Sequence, residues 1–94
     1  MVAQQFEGVD EVDRLFQKAS EFSKQGQYSE AISLLERALV ILEKAGASET
    51  FEAAVFINFL GVQYYYQGNY IKALPLYQKS LAIYKKALGG DHPT

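Results

Sequence analysis

Apolar residues recur every three to four positions along two long segments of the chain, which is the spacing of one face of an α-helix. In the first segment the face consists of Tyr28, Ala31, Ile32, Leu35, Leu39 and Leu42. In the second it consists of Tyr70, Ala73, Leu74, Tyr77, Leu81, Tyr84 and Leu88. We therefore predict two helices that bury these stripes in a core, and we assign Tyr70 to that core.

A further helix is predicted before each of these two. Leu15, Ala19 and Phe22 share one face of a helix over residues 12–25, with Asp10 as its N-cap. Downstream, Ser48 or Thr50 is positioned to cap a helix that runs to about residue 67. Gly26 and Gly68 suit the C-terminal ends of these helices, because glycine adopts left-handed backbone most readily.

The chain contains an internal repeat. The segments QGQYSEAISLLERALVILEKA (25–45) and QGNYIKALPLYQKSLAIYKKA (67–87) lie 42 residues apart, and nine of their 21 aligned positions are identical. A fixed period of this size indicates a stacked helical array. We predict an all-α fold with four helices in two antiparallel hairpins, joined by short turns. Pro75 lies inside the fourth helix, but the apolar periodicity continues through it, which predicts a bend and not a break.

The third helix carries two different stripes. Ile57, Leu60, Gly61 and Tyr64 form one, which we assign to the core, with Gly61 small enough to admit the fourth helix. Asn58, Val62, Tyr65 and Tyr66 form the other, at i, i+4, i+7 and i+8. Tyr65 and Tyr66 either pack against adjacent helices or contact a partner; base stacking would need a basic groove, which the sequence does not show.

Composition limits the chemistry. With no cysteine and one histidine (His92), the sequence offers no disulfide, no thiolate or multi-histidine metal site and no complete catalytic triad. We expect no enzyme activity, no cofactor and no metal. The net charge of −2 gives no argument for nucleic acid, and no apolar run suggests a membrane span. We expect a cytoplasmic protein.

Charge is distributed unevenly between the two halves. Residues 1–52 carry ten acids and five bases, whereas residues 53–94 carry one acid and four bases, so the halves are −5 and +3. This asymmetry could guide one half, or one molecule, against another; it could also reflect two solvated faces.

The second repeat resembles a tetratricopeptide repeat, and most closely the longer repeats of kinesin light chains and related bacterial proteins. The resemblance rests on the phrase FLGVQYYYQGNYIKALPLYQKSLAIYKKALGGDHP (59–93). Those longer repeats commonly carry a proline within the second helix, as Pro75 does here. The resemblance implies a single domain over residues 1–94, with repeat one at about 9–47 and repeat two at about 51–93. It also implies that Asp91, His92 and Pro93 belong to a turn that starts another repeat.

The resemblance also implies where a partner binds. In tetratricopeptide proteins a concave surface holds a partner peptide or protein, and nothing in the resemblance implies catalysis. The positions on that surface correspond here to Asp13, Phe16, Ser20, Ser23 and Lys24 in repeat one and to Asn58, Val62, Tyr65 and Tyr66 in repeat two. Phe16 stands where members that bind a C-terminal carboxylate have a lysine, so the resemblance does not extend to that specificity. Asn58 is either a contact to a peptide backbone or a solvated amide.

Two functions follow as expectations. The first is a non-enzymatic module that binds a protein or peptide on the concave surface. The second is self-association, since the sequence stops at Thr94 where a third repeat would begin, and at least three stacked repeats are usually needed for stability. Alternatively, the chain is a piece excised from a longer array, in which a further repeat would cover the last hairpin.

Overall fold

The computed structural model describes residues 2–89, and the side chains of residues 10–89. Its four helices are α1 (Val2–Lys24), α2 (Tyr28–Lys44), α3 (Phe51–Tyr66) and α4 (Tyr70–Ala87). Each helix packs against the next in the chain, and short turns make consecutive helices antiparallel. Over the described range the chain is all-α, which confirms the two predicted hairpins. The turn predicted at Asp91, His92 and Pro93 lies outside the described residues.

The predicted helix ends are confirmed in the middle of the chain. Gly26 and Gly68 follow α1 and α3 with φ of +77° and +79°, the left-handed backbone that glycine adopts without a Cβ penalty. Thr50 is the N-cap of α3, where its Oγ1 accepts a hydrogen bond from the amide of Ala53 at 3.1 Å. Pro75 leaves α4 unbroken. The amide that proline lacks would have bonded the carbonyl of Ile71, a residue on the exposed side of α4.

The N-cap prediction at Asp10 is wrong. Helix α1 begins at Val2, eight residues before the predicted cap, and continues through Asp10. The segment before Asp10 contains no proline and several good helix formers, and its one glycine, Gly8, weakens the helix without ending it. A capping side chain is needed only where the backbone leaves the helix.

The main core lies where the first hairpin meets α3. Its buried members are Val12, Leu15, Ala19, Ala31, Ile32, Leu35, Ala38, Leu42, Ala53, Phe56 and Leu60. A smaller cluster of Ala54, Ile57 and Ile83 joins α3 to α4. At this joint the buried hydroxyl of Ser80 donates to the carbonyl of Ala54 at 2.8 Å, which shows how closely the two helices approach. Ala38, the equivalent of Ser80 in repeat one, is also fully buried.

The core assignment of the fourth helix is only partly correct. Ala73, Ser80 and Ile83 are buried against α3, and Tyr77 is half-buried. Tyr70, which we assigned to the core, is exposed, as are Leu74, Leu81 and Leu88. Three of them, Tyr70, Leu74 and Leu81, stand 42 residues after Tyr28, Ile32 and Leu39 of α2, none of which is exposed. No described helix lies beyond α4 to cover them.

Tyr64 links the two repeats from the edge of the core. Its half-buried ring packs against the main cluster, and its hydroxyl donates to a carboxylate oxygen of Glu36 at 3.4 Å. Burial raises the pKa of Tyr64, and the negative charge of Glu36 adds to the increase. The Lys72 ammonium lies 5.4 Å from the centre of the same ring. Tyr64 therefore belongs to the joint between repeats and only in part to the core.

Candidate protein-interaction surface

Four of the predicted partner-binding residues lie on one face of α1, because their spacing of three, four and four residues follows the helical turn. We call Asp13, Phe16, Ser20 and Lys24 the α1 row. Asp13 and Lys24 are exposed, and Ser20 is half-buried. The row ends with α1 itself at Lys24.

Phe16 is partly committed to packing. Its ring centre lies 4.7 Å from that of Phe56 and 5.3 Å from that of Phe59, both on α3. These contacts hold α1 beside α3. The two helices run parallel to each other, because α2 is antiparallel to both. Phe16 is half-buried, so part of its ring remains accessible on the surface.

The other four predicted residues lie on α3. We call Asn58, Val62, Tyr65 and Tyr66 the α3 row. Asn58 is exposed, Val62 is half-buried, and Tyr65 and Tyr66 are 52% and 55% exposed. Phe59 precedes Val62 by one turn and Tyr66 by two, so the contact between Phe16 and Phe59 brings the α1 row alongside the α3 row.

A continuous line of tyrosine rings crosses one end of the helices. The ring centres of Tyr28 and Tyr66 are 5.1 Å apart, those of Tyr66 and Tyr65 are 6.2 Å apart, and those of Tyr65 and Tyr70 are 5.2 Å apart. We call these four residues the tyrosine row. It extends from the start of α2, past the end of α3, to the start of α4. The turns at Gly26 and Gly68 place these helix ends side by side.

The sequence did not reveal Tyr28 and Tyr70 as parts of this surface. Both occupy helical positions that suit a core, and Tyr70 is 60% exposed. The signal that could have found them is their place directly after the turn glycines, 42 residues apart, beside the end of α3. Burial raises the pKa of the neighbouring Tyr77, and repulsion from the negative charge of ionised Tyr65 and Tyr66 hydroxyl groups adds to the increase.

The surface offers little chemistry beyond contact. Its charged members are Asp13 and Lys24, one at each end of the α1 row. Within the described residues, no group of three or more histidine, cysteine, aspartate or glutamate side chains could hold a metal ion. Among the same residues, no helix combines the length and apolar character needed to cross a membrane. The arrangement can present the rings of the tyrosine row, which hold one another in place, to another molecule.

Comparison with protein families agrees with this architecture. Two profiles of the tetratricopeptide repeat match the chain, one over residues 54–94 and the other over residues 15–47. The matches fall on the second and first hairpins and together span most of the chain. A search among curated proteins found no significant match. Tetratricopeptide repeats form a non-catalytic fold that generally mediates protein–protein interaction. The chain belongs to the tetratricopeptide-repeat family.

Proposed function

We propose that the chain is a non-enzymatic module that binds a partner peptide or protein across the α1 row and the α3 row. The observation that carries this proposal is the tyrosine row, in which Tyr65 and Tyr66 expose more than half of their surface. The main core closes without either ring, because its buried members come from other positions. Surface tyrosines that fill no core position are available for contact.

The contacts among the four rings favour binding. Each ring of the tyrosine row touches a neighbour, so the side chains lose little rotational freedom when a partner arrives. Tyrosine also combines an apolar ring with a hydroxyl that can bond a peptide backbone, and interfaces favour it for this reason. Asn58 would add an amide that both donates and accepts.

The finer parts of the proposal rest on the sequence. The 42-residue spacing favours the longer repeats found in kinesin light chains. A cytoplasmic location is part of the same proposal. Nucleic acid is a poor fit, because Lys24 is the only basic residue in the two rows and a strand-binding groove needs several.

Peptides selected from a random display library against the wild-type chain alone test the proposal. We expect selected peptides to bind the wild-type chain and to lose about tenfold in affinity for Tyr66→Ala, since a buried aromatic contact contributes about that much. Ile71→Ala is the matched control, because Ile71 is 88% exposed on α4 and lies outside both rows. Equal binding to both variants would contradict the proposal. Loss of helicity in Tyr66→Ala would instead assign Tyr66 a structural role.

Self-association is the second candidate, favoured by the charge difference between the halves and by the exposed apolar side chains of α4. It predicts a solution mass above that of the monomer, and a melting temperature that rises with concentration. Light scattering after size exclusion, over about a hundredfold concentration range, separates the two candidates. A constant monomer mass would remove self-association.

A further inference from the structure

A depression between α1 and α2, outside both rows, gathers most of the basic residues of the first half of the chain. It has a volume of about 200 Å³. It is lined by Glu11, Arg14, Leu15, Lys18, Leu34 and Arg37. We call Arg14, Lys18 and Arg37 the basic cluster. Three of the five basic residues in the range 1–52 therefore lie around one depression.

The charges around this depression do not balance. Glu11 is the one acid that lines it, and three bases against one acid leave a net charge of +2. Glu30, one turn before Leu34 on α2, lines a neighbouring depression and not this one. Residues 1–52 as a whole carry a charge of −5, so the local excess has the opposite sign to its half of the chain. Solubility alone is served equally well by mixed charges.

Glu11 shows that the two guanidinium groups converge on one anion. Its Oε1 accepts a hydrogen bond from Nη2 of Arg14 at 3.3 Å, and its Oε2 lies 3.6 Å from Nη2 of Arg37 on the neighbouring helix. Hydrogen bonds between such charged groups are usually about 2.7–2.9 Å long, so both arginines hold Glu11 loosely. None of the ion pairs among the described side chains includes Lys18. The cluster therefore holds one carboxylate weakly and leaves an ammonium group without an ionic partner.

The carboxylate of Glu11 determines which anions can compete for the cluster. An external carboxylate carries the same single charge as Glu11, so exchanging one for the other gains little. A phosphate monoester carries a charge of about −1.5 to −2 at neutral pH and has three oxygens that accept hydrogen bonds. It matches the net charge of +2 and offers one oxygen to each member of the basic cluster. Charge therefore favours a phosphate monoester over a carboxylate.

We propose that the basic cluster binds the phosphate group of a phosphorylated serine or threonine side chain on a partner polypeptide. Buried Leu15 and half-buried Leu34 supply an apolar floor for the residues beside that side chain. All three bases are exposed, so the depression does not enclose a small molecule, whereas a polypeptide can cover it from outside. This second interaction surface goes beyond the function proposed above, because it shares no residue with the α1 row or the α3 row.

Three matched peptides test this proposal on the full chain. They share one sequence with leucine on both sides of a central residue, which is phosphoserine, glutamate or serine. Titration calorimetry at about pH 7.5 should show that the phosphoserine peptide binds at least about tenfold more tightly than the glutamate peptide, and that the serine peptide binds least. At about pH 5.5 the phosphoserine peptide should bind less tightly, because its phosphate takes up a proton at about pH 6.

Variants of the chain locate the phosphate. Arg37→Gln should weaken the phosphoserine peptide by about tenfold, because it removes a guanidinium group that donates to the phosphate. Arg37→Lys should restore only part of the affinity, since an ammonium group keeps the charge but not the planar pair of donors. Lys44→Gln is the matched control, because it removes the same charge from an exposed site on α2 outside the depression. It should change the affinity by less than about twofold.

Glu11→Gln tests the role of the internal carboxylate. It should strengthen the phosphoserine peptide by about fivefold, because an amide of similar shape no longer neutralises the two guanidinium groups. Glu43→Gln removes the same charge from an exposed site elsewhere on α2 and should have little effect. Tyr66→Ala should bind the phosphoserine peptide as wild type does, which separates a failure here from a failure of the α3 row. Circular dichroism of each variant verifies the fold.

Four results would overturn the proposal. One is equal binding of the phosphoserine and serine peptides, and another is unchanged affinity in a folded Arg37→Gln variant. The third is binding of inorganic phosphate as tight as that of the phosphoserine peptide, since the cluster would then be a site for a free anion. The fourth is tighter binding to vesicles of phosphatidic acid, whose headgroup is also a phosphate monoester, since the partner would then be a membrane.

Discussion

Gly61 on α3 faces Tyr77 on α4 so closely that even a Cβ at Gly61 would require the ring of Tyr77 to shift. A Cβ at Gly61 would lie 3.0 Å from Cε1 of Tyr77 and 3.4 Å from the carbonyl oxygen of Ala73. In repeat one the equivalent pair is Ala19 and Leu35, both fully buried. Compared with repeat one, repeat two therefore has a smaller residue on its first helix and a larger residue on its second helix at this contact.

This pairing makes Gly61→Ala destabilising in the wild-type chain. Alanine gains about 1 kcal/mol over glycine in a helix interior, but an overpacked contact costs about 1–3 kcal/mol. We expect a net loss of about 1 kcal/mol in the free energy of unfolding, measured by urea denaturation. In the background Tyr77→Leu, which recreates the pair of repeat one, the same change should be neutral or stabilising. An equal cost in both backgrounds would show that the ring of Tyr77 is not the obstacle.

Thr50 should stabilise α3 through its cap. Its Oγ1 accepts from the amide of Ala53 at 3.1 Å and donates to the carbonyl of Ala47 at 2.9 Å. Thr50→Ala removes both bonds and should cost about 1 kcal/mol in chemical denaturation, the usual value for a lost N-cap. Thr50→Ser keeps both bonds and should be nearly neutral. Thr50→Asp keeps only the acceptor, so stability close to wild type in that variant would assign the effect to the Ala53 bond.

The ion pair between Glu49 and Lys86 should give stability a small pH dependence. The two side chains lie 3.0 Å apart, and the hydrogen bond and positive charge of Lys86 lower the pKa of Glu49 below its ordinary value of 4.5. A carboxyl group whose pKa is lowered in the folded protein stabilises the fold at pH values above its ordinary pKa. This contribution is lost as the pH falls through the lowered pKa. Both groups are exposed, so salt should weaken the effect.

Melting temperatures of wild type and Glu49→Gln, compared from about pH 7 down to about pH 3, check this prediction. The wild type should melt higher at neutral pH, and the difference should shrink on acidification. Lys86→Met should lose the same increment, and the double variant should lose no more than either single one. A difference that stays constant with pH would contradict the assignment to this pair.

The repeat explains both the success and the limits of sequence-based prediction for this fold. The helical period and the turn glycines predicted the two hairpins, because an apolar stripe and a left-handed turn are local properties. The exposure of Tyr70 and Leu74 could not be predicted in this way. A stripe shows that a helix is suited to packing, whereas burial depends on which neighbour is present.

The surface was predicted in part for a similar reason. The spacing of Asn58, Val62, Tyr65 and Tyr66 separated them from the core stripe, and all four remain exposed or half-buried. The contacts of Phe16 with Phe56 and Phe59 could not be predicted from local spacing, because they depend on how α1 and α3 lie side by side. Lys18, which occupies the position that the buried Leu60 has in repeat two, is exposed on α1.

Gln63 is a buried polar residue that the sequence pattern did not predict. It is fully buried on α3, and its Nε2 donates to the carbonyl of Phe59 at 3.3 Å, while its Oε1 has no hydrogen-bond partner among the described residues. An unsatisfied buried acceptor costs about 1–3 kcal/mol. Gln63→Met keeps a similar length without the orphaned oxygen, so it should raise the free energy of unfolding by about 1 kcal/mol in urea denaturation.

The same substitution at an exposed glutamine provides the control for this effect. Gln17 lies exposed on α1, so Gln17→Met should change stability by less than about 0.5 kcal/mol. Gln63→Glu should be strongly destabilising near neutral pH, because it would bury a carboxylate beside an oxygen site that offers no donor. Should Gln63→Met lower stability instead, Oε1 must have a partner, and an ordered water between α3 and its neighbours would be the group to seek.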